Sequence, residues 1–448
     1  VSHSDSTKNA QAYRLDPTSS WANAWKVAAA VAVAGIAASA FAWISDHERF
    51  AFSYLFAYVS FLCIALGGVF FGLIQFLTSS GWSVTVRRTT EFLHWPMALF
   101  VLLFAPVALH LDQLYPWVSH GGDHGEHATE HGAAEGDHAG EAQGGEHSGD
   151  PHEAPVMEGV NLDAVHAAHA RVLASKEPYL NVGFFAIRAV LYFLSWVWIS
   201  RKLFANSTKQ DESGDPALTA SSQRVAPVAI IVFALTTTFA AFDWLMSLEP
   251  SWISTIFGVN FFAQCIVSMF AVTVLMGLSL RAQGHFKKAV NVEHFHDLGK
   301  LLFGFLVFWA YVNFSQYMLI WYASIPEETT YYHLRWSQGG DGWKAWSMAI
   351  LFGHFVLPFF VMLSRNAKRA LSPLGVGAAI ILLFHFVFVY WLVMPYYGEG
   401  LSVSWVDIAC LAAVGGLYFT AVLYKMTQHP IIPIKDPRLS RALNFVNA

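Results

Sequence analysis

The chain has 448 residues, of which 55% are hydrophobic, 16% aromatic and only 13% charged. A soluble domain needs roughly a quarter of its residues charged to cover its surface, so these proportions exclude soluble enzymes and nucleic-acid binders. They define an all-α polytopic integral membrane protein. The formal net charge of −5 averages an acidic loop against basic flanks elsewhere and so identifies no partner.

A membrane-spanning helix takes about 20 apolar residues. By that measure ten spans are expected, over residues 24–44, 52–78, 92–114, 179–204, 226–246, 256–281, 299–324, 343–364, 372–395 and 404–426. Residues 1–23 and 427–448 are then polar terminal segments, and residues 115–178 form one long loop between the third and fourth spans. Nothing in the first 25 residues resembles a cleaved signal, because they are polar and the apolar run after them is full length. The three cysteines, Cys63, Cys265 and Cys410, fall inside apolar runs and read as small core residues.

Lysine and arginine are distributed unequally across the spans. Twenty lie on the side of the N-terminus and five on the other (Arg49, Arg171, Lys176, Arg335 and Lys344), with Arg188 inside a span. Basic loops stay in the cytoplasm, which puts both termini there and residues 115–178 on the outer side. The middle of that loop alternates His120, His124, His127, His131, His138, His147 and His152 with acids, glycine and alanine. Such a tract cannot build a core and is expected to be a solvated, disordered insertion. Imidazoles at this density bind zinc, copper or nickel loosely, but no fixed spacing repeats. Residues 160–175, with His166 and His169 at helical spacing, are expected to form a short surface helix.

The most informative stretch runs from Phe239 to Trp252, where the fifth span ends. Asp243 appears before the apolar run has left the membrane, and Pro250 removes an amide donor and stops the helix. Trp244 and Trp252 suit a membrane–water boundary. Two readings of Asp243 stand: a solvated acid in an interfacial turn, or a protonatable group at the mouth of a polar path. Arg188 lies at comparable depth in the fourth span and needs a carboxylate or carbonyl partner, so an Arg188–Asp243 contact is expected, as clamp or as functional pair.

His354 and His385 fall near the midpoints of the eighth and ninth spans. Three roles fit them: imidazoles satisfied by backbone carbonyls, a proton relay, or a pair of haem ligands. Asn260 and Gln264 share a helix face in the sixth span, and Asn313, Ser315 and Gln316 add polar groups in the seventh; interhelical hydrogen bonding is their ordinary role. His94 beside Glu91, and His110 beside Asp112, sit at opposite ends of the third span, where either pair could meet a quinone head group. No phosphate-binding loop, dinucleotide fingerprint, paired-cysteine motif or catalytic serine–histidine set is present, so redox cofactors are expected on neighbouring chains.

The stretches Phe242–Gly258, Asp297–Phe305 and Phe308–Thr330 together resemble the F-type membrane component of alternative complex III, within the wider polysulfide-reductase-C or NrfD-like family. The resemblance spans all ten helices. It implies two four-helix bundles, spans two to five and six to nine, flanked by spans one and ten. It also implies a place in a bacterial inner-membrane complex that oxidises menaquinol or another quinol and passes electrons to a cytochrome c or an oxidase. The implied partners are a multihaem cytochrome c, an iron–sulfur protein, a monohaem cytochrome, small membrane proteins and the paralogous C-type membrane component, which is credited with the quinol chemistry. Haem c and iron–sulfur clusters would belong to those partners. A proton path is the role implied for the F-type component, and Asp243, Glu249, Asn313 and Gln316 are the matching residues, with Arg188, His354 and His385 as further candidates. The rival reading is a free-standing proton- or ion-coupled transporter, which ten spans with intramembrane charges also permit.

Overall fold

The computed structural model describes residues 13–119, 171–286, 289–336, 340–398 and 400–446. The seven loop histidines, His166 and His169, and the basic residues Lys8, Lys287 and Lys288 lie outside the described residues. Of the surface helix expected over residues 160–175, residues 171–175 are described and are helical.

Ten helices are long and apolar enough to cross a membrane: α1 Ser20–Ser45, α2 His47–Leu77, α3 Val84–Leu109, α4 Val182–Ser213, α5 Pro216–Leu248, α6 Phe257–Ala282, α7 Val292–Ala323, α8 Gly342–Met362, α9 Leu371–Tyr396 and α10 Trp405–Gln428. Every expected span is met. Local chemistry sets several of the ends. The α4–α5 turn uses Gly214 at φ +71°, a conformation glycine reaches without a Cβ clash. Asp215 then caps α5 by accepting from Ala217 N, with Pro216 in the first turn, where no amide donor is needed. Ser404 and Asp407 form a reciprocal capping box at the start of α10.

Two spans differ from the apolar-run expectation. Helix α3 begins at Val84, eight residues before the predicted start at 92, and so takes Arg87, Arg88, Glu91 and His94 into its buried first turns. It is interrupted beside Pro96 and again near Pro106, each of which removes a backbone donor. Helix α5 leaves α-geometry at Trp244, and a short 3-10 turn, Met246–Leu248, precedes Pro250. The boundary role read for the tryptophans is corrected: Trp244 is 2% exposed and Trp252 1%. Trp244 packs among Phe104, Phe193 and Trp196, and Trp252 stacks on Tyr331 at 4.2 Å. Indole suits a membrane boundary and a protein interior alike, and only packing separates the two.

Helices α2 and α6 are the core. Their apolar windows are 89% and 83% buried, against 22% for α1, so the other spans are arranged around them. Helices α3, α4 and α5 gather with α2, helices α7 and α9 pack on α6 with α8 against both of them, and α1 pairs with α10 along the side of α2. Lipid tails are as apolar as leucine, so close packing has to hold these helices together. Small residues allow it: a Cβ on Gly67 would lie 2.2 Å from the Cys265 carbonyl oxygen across the α2–α6 contact. Gly67→Val is therefore expected to lower stability by about 1–3 kcal/mol or more, whereas Gly304→Val, with nothing within 4 Å, should stay within about 0.5 kcal/mol. Thermal unfolding in detergent checks this, and equal melting temperatures would refute the packing argument.

Candidate functional site: buried ion pairs and an aromatic cavity

Helix α4 carries Arg188 two turns from its start, and α5 carries Asp243 at its end. The structure brings them together as a two-point pair: Arg188 Nε donates to Asp243 Oδ2 at 2.8 Å, and a terminal nitrogen donates to Oδ1 at 2.9 Å. Tyr192 OH donates to the same carboxylate at 2.7 Å, and the Tyr179 carbonyl takes a further guanidinium proton at 2.8 Å. The faces of Tyr179 and Phe184 flank the guanidinium. Asp243 is fully buried. The solvated reading is thereby excluded, and three donors hold the carboxylate in place. Glu249 stands apart from this clamp, half-buried, accepting from the Ser251 hydroxyl.

A second buried network lies on the face where the terminal segments meet, Ile431 N donating to the Tyr13 carbonyl. Glu91 takes Arg87 at 2.8 Å and Arg88 at 2.9 Å. Arg87 reaches Asp436 at 2.9 Å, and Arg88 reaches Asp211 at 2.7 Å. Asp211 also accepts from Ile434 N, so α3, α4 and the C-terminal segment are strapped together. Burial would raise the Asp436 carboxyl, but the charge of Arg87 and the hydrogen bonds and charge of Arg438 outweigh it and hold it at about 2.

A third pair, Arg49–Asp407 at 2.7 Å, ties α2 to α10, with Ser53 and Tyr390 also on Asp407. Arg335 is different. It is fully buried on the short helix Pro326–Trp336 and is held by the carbonyls of Tyr331, Trp391 and Leu392. Rings of Tyr331, Trp391 and Tyr396 surround it.

The middle of the protein is neutral. His385 Nε2 donates to the Ser60 carbonyl at 2.9 Å, which leaves Nδ1 to accept from the Gln264 amide at 2.6 Å. One imidazole thus joins α2, α6 and α9. Both nitrogens are occupied, which matches the reading of His385 as an imidazole satisfied by its neighbours. Asn260 and Asn313 exchange amide hydrogen bonds at 2.8 and 3.2 Å between α6 and α7. Gln316 is buried. His354 lies in a π-helical segment, Leu351–Val356, an insertion geometry frequent at functional positions. Neither ring nitrogen makes a well-formed hydrogen bond, the backbone of Ile381 being a polar neighbour, and Trp309 packs edge-on against the ring at 4.3 Å. Trp309 and Phe388, both in contact with His354, also line a cavity of about 390 Å³ walled by Tyr332, Trp336 and Trp391, with Asn313 at its side. Its lining carries no charged group, which suits an apolar ring or an acyl chain.

Of the third-span candidates, His94 is fully buried inside α3. Ser200 Oγ gives its proton to the His94 carbonyl, so the ring's Nδ1 donates to Ser200 Oγ at 2.9 Å. Its neighbour Glu91 is consumed by two arginines. At the other end His110 is buried and Asp112 exposed. The Arg87–Glu91 and Arg88–Glu91 contacts were open to a reading of sequence as i,i+4 and i,i+3 pairs. Asp407, Asp436 and the Arg335 cage carried no such local signal.

Comparison with family models gives no match for this chain, and neither does comparison with curated proteins. What the fold and these sites define is an all-α membrane protein of ten spans, tied together by buried ion pairs.

Removing one member of a buried pair leaves an unpaired charge. Arg188→Leu or Asp243→Leu alone is therefore expected to cost about 3–5 kcal/mol, and the double variant to recover most of it. A double-mutant cycle of unfolding in detergent measures this; additive losses would contradict the clamp. The folded Asp436 carboxyl lies below its ordinary 3.8, so its contribution is present above that pH and lost as pH falls through about 2. Pepsin cleavage within residues 430–446 should accelerate between pH 4 and pH 2, and Asp436→Asn should be cut quickly already at pH 4.

Proposed function

We propose that this chain is the scaffold membrane component of a bacterial inner-membrane quinol:electron-acceptor oxidoreductase of the alternative complex III type, with its termini cytoplasmic. The resemblance over Phe242–Gly258, Asp297–Phe305 and Phe308–Thr330 supports the complex. One structural observation supports the scaffold role: among the described residues every buried carboxylate, Glu91, Asp211, Asp243, Asp407 and Asp436, is bound by an arginine. Charges committed in this way fix helices and the C-terminal segment to one another. A transporter that carries ions needs acids free to exchange them. Quinol oxidation then belongs chiefly to a paralogous membrane protein of the complex, and haem c and iron–sulfur clusters to the soluble partners.

Purification from native membranes in mild detergent tests this reading. The chain should co-isolate with haem-bearing proteins and show no Soret band once separated from them. Recovery alone or as a homo-oligomer would favour the transporter. Asp243→Asn should reduce the yield of assembled complex without changing protons released per electron. A lowered proton ratio at full yield would make Asp243 a conductor instead of a clamp.

A further inference from the structure

A pair of imidazoles at the face opposite the termini takes no part in any clamp. His47 opens α2, and His110 follows the last turn of α3. Their ring centres are 4.6 Å apart with planes at 46°. Each ring is fixed in the same way: His47 Nδ1 donates to the Trp43 carbonyl at 3.0 Å, and His110 Nδ1 donates to the Pro106 carbonyl at 2.6 Å. A carbonyl only accepts, so in both neutral rings the proton sits on Nδ1 and Nε2 is a bare lone pair. His110 is 1% exposed, and its Nε2 has no partner although buried. His47 is exposed, so the pair is open on one side. Trp43 and Phe50 wall His110 at 5.1 and 5.3 Å, and the charge of Asp112 reaches it.

An imidazole that gives its Nδ1 proton to a carbonyl has the orientation and tautomer of a metal ligand, with Nε2 presented. Two such rings in contact, one with an orphaned buried lone pair, call for a Lewis acid between them. The spacing indicates which kind. With metal–nitrogen bonds of about 2.0–2.1 Å, a cation faced by both Nε2 atoms would lie about 3.2 Å from each ring centre, and rings with centres 4.6 Å apart would then subtend about 90° at it. A right angle between two nitrogen ligands belongs to tetragonal geometry, which copper(II) and nickel(II) prefer, more than to the tetrahedron of zinc. Among the described residues no three histidine, cysteine or acidic side chains converge on one point. The remaining positions therefore fall to water on the open side.

We propose that His47 and His110 form a two-imidazole site for a divalent transition metal of tetragonal preference, at the outer end of α2 and α3. The site uses none of the residues on which the scaffold reading rests, so either can fail without the other.

Copper(II) is the probe, titrated into the full-length protein in detergent. The seven histidines between 120 and 152 are changed to asparagine, so that only sites elsewhere in the chain report. One copper per chain is expected, with equatorial coordination by two nitrogens in its electron paramagnetic resonance spectrum and quenching of tryptophan emission through Trp43. His47→Asn, an exposed change that leaves the fold in place, should abolish that signal and the quenching, and His110→Asn should do the same. Copper bound equally in the His47→Asn variant, a spectrum with one nitrogen ligand or none, or no binding above the His47→Asn/His110→Asn double variant would each overturn the proposal.

Discussion

A guanidinium keeps its proton in almost any surroundings, so an arginine within a membrane helix has to bring its own counter-charge or cage. That constraint organises this protein. Arg188 holds α4 against α5, Arg49 holds α2 against α10, and Arg87 with Arg88 binds α3, α4 and the C-terminal segment. Two of these three ties join segments far apart in the chain, where lipid supplies no hydrophobic drive toward association. An ion pair in such surroundings adds modest net stability because both partners are desolvated, but losing one partner is costly. Mispaired arrangements of ten similar apolar rods are penalised in the same way, so the pairs select one arrangement.

The distribution of polar chemistry follows depth. Ionic pairs lie toward the helix ends, and the middle holds a neutral joint, Gln264 with His385 and the Ser60 carbonyl. Neutral hydrogen bonds cost less to bury than charges where water is farthest away. His385 therefore serves as a three-helix joint, and His354, one helix away, occupies the contrasting position of an imidazole in a π-helical bulge behind the wall of an aromatic cavity.

Much of this arrangement could be read from residues alone, because the bilayer imposes a length on every span. All ten helices followed from apolar runs, and the Arg188–Asp243 contact followed from one unmatched cation and one acid at similar depth. The start of α3 did not, since Arg87, Arg88 and Glu91 look like a loop until they neutralise one another. Trp244 and Trp252 misled for a related reason: an amphipathic ring has two comfortable environments and carries no mark of which it occupies. Asp436 was invisible as a partner, lying 349 residues from Arg87. Its role exists only once the C-terminal segment folds back over α3 and α4.

Arg335 shows how the same constraint is met without an acid, and the difference bears on conduction. An ion pair leaves its surroundings neutral. The Arg335 cage instead offers carbonyl dipoles at the C-terminal end of α9, where the helix field already favours a cation, and three electron-rich ring faces. No carboxylate among the described side chains pairs with it, so a full positive charge stays fixed beside the aromatic cavity, with Trp391 lining both. A buried cation with no counter-ion raises the energy of any proton or metal ion entering that half of the protein, as arginines do in pores that exclude cations. The bundle built on α6 to α9 thus combines a neutral middle with a positive flank, an arrangement that opposes the entry of cations.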